Sequence, residues 1–205
     1  MRALRWGVGL LIVLAFSDAA EAQQPAAIAS TMRDRFAAAM TMEEFVASDT
    51  VKSEQWRNNI SRSRPAGRAP GGTAERRQTN WHLLIVAENW CSDAVNTIPY
   101  IVAAGETSGR FDVRLLRKAD ADDLLERHQL EGRAATPLVL LLDEDFRERG
   151  VWIERPAALR EFIRKGEARF CEDDLKQRVR MWYEADAGAS TVREILTLIE
   201  AAELK

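Results

Sequence analysis

The two cysteines, Cys91 and Cys171, are the residues of this sequence best suited to covalent chemistry, and they lie far apart in the chain. Two thiols cannot build a disulfide-rich scaffold or a four-thiolate zinc site. The two histidines, His82 and His128, are also far apart and lack the spacing of metal ligands. We therefore predict no metal site and no cofactor, which leaves the chemistry of single thiols.

Cys91 lies in the segment Trp90-Cys91-Ser92-Asp93-Ala94, between an apolar run and a segment with helical periodicity. The first turn of a helix has unpaired N–H groups and a partial positive charge, and both favour the nucleophilic thiolate over the thiol. The carboxylate of Asp93 suits a helix start, but its charge opposes a nearby thiolate. We interpret Asp93 mainly as a helix-start residue. A polar contact or proton acceptor beside the thiol is the alternative.

Cys171 falls on a stripe with Leu175, Val179 and Trp182. This spacing places the four side chains on one helix face, and free cysteine is among the most buried residue types. We therefore predict a buried, apolar Cys171. The alternative is a redox partner of Cys91, which requires Cα atoms within about 7 Å for a disulfide.

Four apolar segments and several amphipathic ones must position these thiols. The strand pattern covers 83–87, 111–116, 138–142 and 150–153, with a turn at 143–145 before the last strand. Helical periodicity covers 25–48, with a second start capped by Thr41, and then 91–104, 120–128, 157–166, 172–185 and 190–203. We expect Asp120, and Ser190 or Thr191, to cap two of these helices. The alternation predicts an α/β sandwich with a mixed sheet.

The composition narrows the class of protein further. The chain has 205 residues, a net charge of −3, 46 % hydrophobic and 30 % charged residues. This balance is typical of a globular domain and gives no electrostatic reason to expect a nucleic-acid partner. Residues 57–80 combine arginines with Ser, Pro, Gly and Asn. We interpret them as a long, exposed loop that serves as a solvated linker, with an anion-binding arm as the alternative.

The N-terminus has the pattern of a secretory signal. Arg2 and Arg5 precede the ten-residue apolar run GVGLLIVLAF, and Ala20-Glu21-Ala22 follows with small residues at the positions that a signal peptidase reads. The run is short for a transmembrane helix, which needs about 20 residues. We predict cleavage after about Ala22, export to the periplasm or an equivalent compartment, and no stable membrane insertion afterwards. An uncleaved anchor is the alternative.

The residues around Cys91 resemble the thioredoxin superfamily. In that family a W-C-x-x-C motif opens a helix, a proline follows eight residues after the first cysteine, and a cis-proline packs beside the thiol. Trp90-Cys91, Pro99 and Thr136-Pro137 match these features, over roughly residues 81–164. The match is nearest to a bacterial branch with W-C-x-D-A or W-C-x-D-C at the site. Further segments similar to that branch are Arg117-Lys118-Ala119-Asp120, Arg155-Pro156 and Trp182-Tyr183-Glu184-Ala185-Asp186.

The resemblance implies a three-layer thioredoxin-like sandwich. We divide the chain into the signal (1–22), an N-terminal helical extension (23–56), the arginine-rich loop (57–80), the thioredoxin-like core (81–166) and C-terminal helices (167–205). Cys91 matches the family nucleophile, and Trp90, Ser92, Asp93, Thr136 and Pro137 would line its site.

Two departures from the family bear on activity. Ala94 replaces the resolving cysteine, and Ile85 stands where thioredoxins carry a buried carboxylate that assists it. Both changes remove the same half-reaction. We expect redox activity through Cys91 alone, with an external thiol to resolve the mixed disulfide and a protein or small thiol or disulfide as substrate. The alternative is a redox-inactive module that binds a peptide or protein.

Overall fold

The computed structural model describes residues 32–64 and 81–204. The predicted signal peptide lies outside these residues, as does the arginine-rich segment from 65 to 80. Residues 32–38 are helical and form the described part of α1. The elements that follow are α2 (Met42–Ala47), α3 (Ser53–Ser63), β1 (Trp81–Ala87), α4 (Ser92–Ser108), β2 (Phe111–Arg117), a 3₁₀ turn (Lys118–Asp120), α5 (Asp122–Arg127), β3 (Leu138–Leu142), β4 (Glu148–Ile153), α6 (Ala157–Glu167), α7 (Glu172–Asp186) and α8 (Ala189–Glu203).

The four strands form one mixed sheet in the order β2-β1-β3-β4. β1 pairs in parallel with β2 through the crossover helix α4, whereas β3 is antiparallel to both β1 and β4. This arrangement places the end of β1 and the beginning of β3 side by side at the centre of the sheet. Val86 pairs with Leu138 there, so the segment that follows β1 and the segment that precedes β3 meet at the same end of these two central strands.

Both faces of the sheet are covered, which explains the unbroken apolar runs in the sequence. Alternate residues of a strand point to opposite faces. Leu83 and Ile85 of β1 belong to the core formed with α3, α4 and α8, whereas Leu84 and Val86 belong to the core formed with α1 and α5. The predicted α/β sandwich with a mixed sheet and helical extensions is therefore confirmed.

In the N-terminal extension and the segment after it, one prediction is correct and one is wrong. Thr41 and Glu44 form the reciprocal hydrogen bonds of a capping box, as predicted, so α2 is a separate helix from α1. The loop predicted from residue 57 onward is wrong for residues 57–63, which belong to α3. The buried side chains of Trp56 and Asn59 hold this polar segment in helical form against the core.

Two predicted helix caps are also wrong. The residue before α5 is Ala121, because Lys118–Asp120 form a separate 3₁₀ turn. α8 begins after Gly188, whose φ of +77° is a left-handed conformation that glycine adopts without strain. An added Cβ at Gly188 would lie 2.2 Å from Cγ of Tyr100, so the short connection also requires the absence of a side chain.

Candidate active site

Cys91 is the N-cap residue of α4, as its position in the sequence predicted. Its backbone is extended, with φ −70° and ψ 117°, and its carbonyl accepts the first helical hydrogen bond from the N–H of Val95. The N–H of Cys91 donates to the carbonyl of Glu88 across the turn that follows β1, at 3.1 Å. The turn therefore fixes the direction in which the helix leaves the sheet.

The thiol of Cys91 contacts the segment that precedes β3. Its Sγ donates to the carbonyl oxygen of Thr136 at 3.3 Å, and the Thr136–Pro137 peptide bond is cis. Only 7 % of Cys91 is exposed. The structure thus brings together Cys91, Thr136 and Pro137, although they are distant in the sequence.

Hydrogen bonds from the N-terminal extension hold the turn between β1 and α4. Asn89 is buried and donates through Nδ2 to the carbonyl of Phe45, while Nε1 of Trp56 donates to the carbonyl of Asn89. The neighbouring Trp90 is 59 % exposed. The turn therefore presents a large indole to solvent immediately beside a buried thiol.

Asp93 contacts other elements rather than the N–H groups of its own helix. Its carboxylate accepts from Nη2 of Arg155 at 2.5 Å and from the hydroxyl of Tyr183 at 2.6 Å. Arg155 lies between β4 and α6, and Tyr183 lies on α7. Asp93 lies in the first turn of α4, as predicted, and its side chain also joins α4 to Arg155 and to α7, which the sequence did not predict.

Glu154 extends this group of polar side chains. It is buried and accepts hydrogen bonds from Arg155 and from Arg133, and its own N–H donates to the carbonyl of Pro137 at 2.7 Å. We refer to Asp93, Glu154, Arg155 and Tyr183 as the Asp93 cluster. The cluster reaches both segments beside the thiol. Glu154 bonds to Pro137, and Asp93 lies two residues after Cys91 in α4.

The two carboxylates of the Asp93 cluster are compensated by Arg155 within it and by Arg133 beside it. Burial disfavours the guanidinium of Arg155, but its ion pair with Asp93 outweighs that effect and raises the pKa of Arg155. Burial, together with the carboxylate of Asp93, raises the pKa of Tyr183 well above its usual range. The phenol therefore stays protonated and donates to Asp93 throughout the physiological range.

Arg155 and Tyr183 were not among the predicted site residues. Their only sequence signal was the similarity of Arg155-Pro156 and of the Trp182–Asp186 segment to the thioredoxin-like branch. Neither residue is near Cys91 in the chain, and no local pattern connects them to it.

Ser92 and Asp93 lie at one end of a cleft of about 360 Å³ between α4, α6 and α7. Ile163, Leu175 and Val179 supply apolar lining, and Tyr183 lies at its inner end with Asp93. Ser92 also accepts a hydrogen bond from Nζ of Lys52 at 2.5 Å. The helix start that carries Cys91 thus borders a space that a small molecule or a side chain can enter.

Cys171 differs from its prediction. It is exposed at the N-cap of α7 rather than buried, and both cysteines are free thiols. The helical stripe places Cys171 above Leu175, but α7 buries only Tyr183 along its length. The predicted burial was wrong because burial along α7 is confined to Tyr183, near its C-terminal end, and does not reach the N-cap.

The two departures from the family pattern are part of the core. Ala94 and Ile85 are both fully buried.

Within residues 32–64 and 81–204, no group of three or more His, Cys, Asp or Glu side chains is arranged to hold a metal ion. Nor does this part of the chain contain a helix with the length and hydrophobicity to cross a membrane.

Comparison with known proteins places this geometry in a family. No curated protein matches the sequence. A crystal structure of PA1234, a protein of unknown function from Pseudomonas aeruginosa, is 25 % identical with a TM-score of 0.59, over 83 % of this chain and 97 % of that one. An HIV epitope scaffold is 24 % identical with a TM-score of 0.58, over 82 % and 97 %, and shares the fold. The thioredoxin family model matches residues 39–176, more than half of the sequence, and the chain therefore belongs to the thioredoxin family.

Proposed function

We propose that this chain is an exported thioredoxin-like protein in which Cys91 alone carries out thiol–disulfide exchange. The observation that carries the proposal is the position of Cys91 at the start of α4, with its sulfur against Thr136 and Pro137. The helix start supplies unpaired N–H groups and a positive end of the dipole, which stabilise a thiolate. Proposed substrates are protein disulfides or small disulfides.

The exchange needs two displacements at sulfur. The Cys91 thiolate attacks one sulfur of a substrate disulfide, forms a mixed disulfide and releases the other sulfur as a thiolate. Ala94 has no sulfur with which to resolve this intermediate. A small external thiol, in its thiolate form, then attacks the substrate sulfur of the mixed disulfide and regenerates the Cys91 thiolate. One disulfide and one thiolate enter the cycle, and one disulfide and one thiolate leave it.

The test is an exchange assay between a fluorescent peptide disulfide and reduced glutathione, with and without the mature chain. We expect the chain to accelerate exchange, Cys91→Ser to lose the acceleration, and Cys171→Ser to keep it. Circular dichroism of each variant checks that it is folded. A Cys91→Ser variant as active as the parent would overturn the proposal. N-terminal sequencing of the protein from the periplasm of an expressing bacterium tests export, for which we expect a start near Gln23.

The second candidate function is a redox-inactive binding module, and the exposure of the two site residues favours it. Trp90 presents its indole to solvent while Cys91 is almost covered. Exposed aromatic side chains are common anchors of protein interfaces. In that case the immobilised parent protein would retain partners from an exported-protein fraction. The Trp90→Ala variant would fail to retain them, whereas the Cys91→Ala variant would retain them. Loss of the same partners by Cys91→Ala would argue against this function.

A further inference from the structure

We propose that the Asp93–Arg155 ion pair positions the Cys91 thiol and balances the charge beside it. The inference concerns the same site as the proposed function and rests on Cys91 as its nucleophile. It assigns positioning roles to Arg155 and Tyr183, which lie far from Cys91 in the sequence. The argument has a geometric step and an electrostatic step.

The geometric step is a closed ring of contacts through the site. Cys91 bonds to Thr136, Pro137 accepts from the N–H of Glu154, Arg155 bonds to Asp93, and Asp93 returns to Cys91 through two residues of α4. The side chains of Asp93 and Arg155 are 13 % and 22 % exposed. The bond from Cys91 to Thr136 exists only in the thiol form, whereas the contacts through Glu154, Arg155 and Asp93 do not involve the sulfur and connect the Thr136–Pro137 segment to α4 in both forms.

The hydroxyl of Tyr183 completes the arrangement from α7. It donates to the second carboxylate oxygen of Asp93, so both oxygens have a partner and the carboxylate is held from two sides. Buried hydrogen bonds to a charged group are stronger than those between neutral groups. The cluster therefore restrains the carboxylate more firmly than a single ion pair would.

The electrostatic step follows from the opposite charges of the pair. Asp93 alone would repel a thiolate at Cys91, and Arg155 alone would attract it. The charge of Cys91 is also among the causes that raise the pKa of Tyr183, so the Asp93 cluster and the sulfur interact electrostatically. With both partners present the two effects oppose each other. Removal of the Asp93 carboxylate leaves the positive charge of Arg155, and removal of the Arg155 guanidinium leaves the negative charge of Asp93.

Glu154 also pairs with Arg155, but Arg133 compensates its charge, and the other charged groups around the helix start have partners of their own. Glu88 bonds to the N–H of Lys118 and to Arg117. Lys52 donates to Ser92, and Arg133 pairs with Glu154. Apart from Arg155, none of these residues is changed in any variant proposed below, so their charges contribute equally to all the profiles compared.

The experiment measures alkylation of Cys91 by iodoacetamide as a function of pH. Cys171→Ser is the common background, because the exposed Cys171 would otherwise react as well. Each profile gives a midpoint, which reports the charge around the thiol, and a plateau rate, which reports its accessibility. Alkylation needs no disulfide substrate, so its result is independent of the exchange assay.

We expect the midpoint to move in opposite directions for the two partners. Asp93→Asn should lower it and Arg155→Gln should raise it, each by up to about one pH unit, because each removes one unit charge of opposite sign. Both variants should raise the plateau rate, because each breaks the connection from α4 through Arg155 and Glu154 to Pro137 beside the sulfur. The double variant Asp93→Asn/Arg155→Gln should restore the midpoint while keeping the raised plateau. Tyr183→Phe should raise the plateau less than either.

Charge-matched controls come from the surface of α6. Glu161 pairs with Arg164 there, with an N–O separation of 2.8 Å and both side chains exposed. Glu161→Gln and Arg164→Gln make the same two charge changes and should leave midpoint and plateau near the background values. A merely structural role would move the plateau alone. Midpoints that stay in place, or that move together for Asp93→Asn and Arg155→Gln, would overturn the proposal.

Discussion

The starts of α4 and α7 share one local pattern, an N-cap cysteine in the extended region, and are opposite in their surroundings. Each helix has a cysteine at its N-cap in an extended conformation, with φ of −70° at Cys91 and −67° at Cys171. Neither cysteine caps its helix by a side-chain hydrogen bond, and each helix has acidic residues in its first turn. The helix dipole is therefore available to both thiols.

The tertiary environment separates the two thiols. Cys91 is covered by the Thr136–Pro137 segment, and its neighbour Asp93 is enclosed by Arg155 and Tyr183. Cys171 is exposed, and its neighbour Glu172 pairs with Lys176 on the surface of the same helix. A cysteine at a helix start is thus not a site by itself. The contacts from distant segments make one of them a candidate nucleophile.

The largest expected difference between the two helix starts is in the energy of their ion pairs. Arg155→Gln leaves Asp93 buried without its cation and should lower the free energy of unfolding by about 2–3 kcal/mol. Lys176→Gln removes an exposed partner of Glu172 and should leave the urea denaturation midpoint unchanged, because solvent screens surface pairs. Urea titration by circular dichroism measures both. Equal effects at the two sites would contradict the comparison.

A smaller effect is expected from the hydroxyl that ties α7 to α4. Tyr183→Phe removes one hydrogen bond to a buried carboxylate and should cost about 2 kcal/mol. Tyr100→Phe is the matched control, since the Tyr100 hydroxyl makes no hydrogen bond with any residue in 32–64 or 81–204, and it should cost less than about 0.5 kcal/mol. Similar decreases in the free energy of unfolding of the two variants would show that the hydrogen bond from Tyr183 to Asp93 does not stabilise the site.

The effect of Tyr183 should also depend on pH. The pKa of Tyr183 is raised in the folded state above its ordinary value of 10.0. Its contribution to stability is therefore complete below that value and is lost as the pH rises further, because only the unfolded phenol ionises readily. The stability advantage over Tyr183→Phe should narrow between about pH 9 and about pH 11. An advantage that widens over this range would contradict the raised pKa.

The same contrast shows which parts of the molecule its sequence could reveal. The strand predicted at 138–142 coincides with β3, and that predicted at 111–116 differs from β2 by one residue. β1 and β3 are buried on both faces, which explains their apolar runs. Cys91 was predicted from its position between a strand and a helix, whereas Thr136 and Pro137 were connected to it only through the resemblance to the thioredoxin superfamily.

The errors have a common physical cause, since each depends on which distant element packs on a segment. Residues 57–63 look like a loop in composition, but Asn59 donates to the carbonyl of Val95 and holds them as a helix. Cys171 looks buried from its spacing, but nothing covers it. Arg155 and Tyr183 reach Asp93 through the fold alone, so no spacing in the sequence could have assigned them.

The smallest expected effect comes from the same substitution at the two caps. Serine at an N-cap accepts a hydrogen bond from the N–H two or three residues later, which cysteine does not do in either helix. Cys171→Ser should therefore stabilise the protein by about 0.5 kcal/mol, because solvent already surrounds the position. Cys91→Ser places the hydroxyl in a buried position between the helix start and Thr136, and the cost of its desolvation offsets the gain from the cap. Thermal unfolding of the two variants should show a small rise in Tm for Cys171→Ser and no rise for Cys91→Ser, so that the sign of the change follows burial rather than the helix position that the two cysteines share.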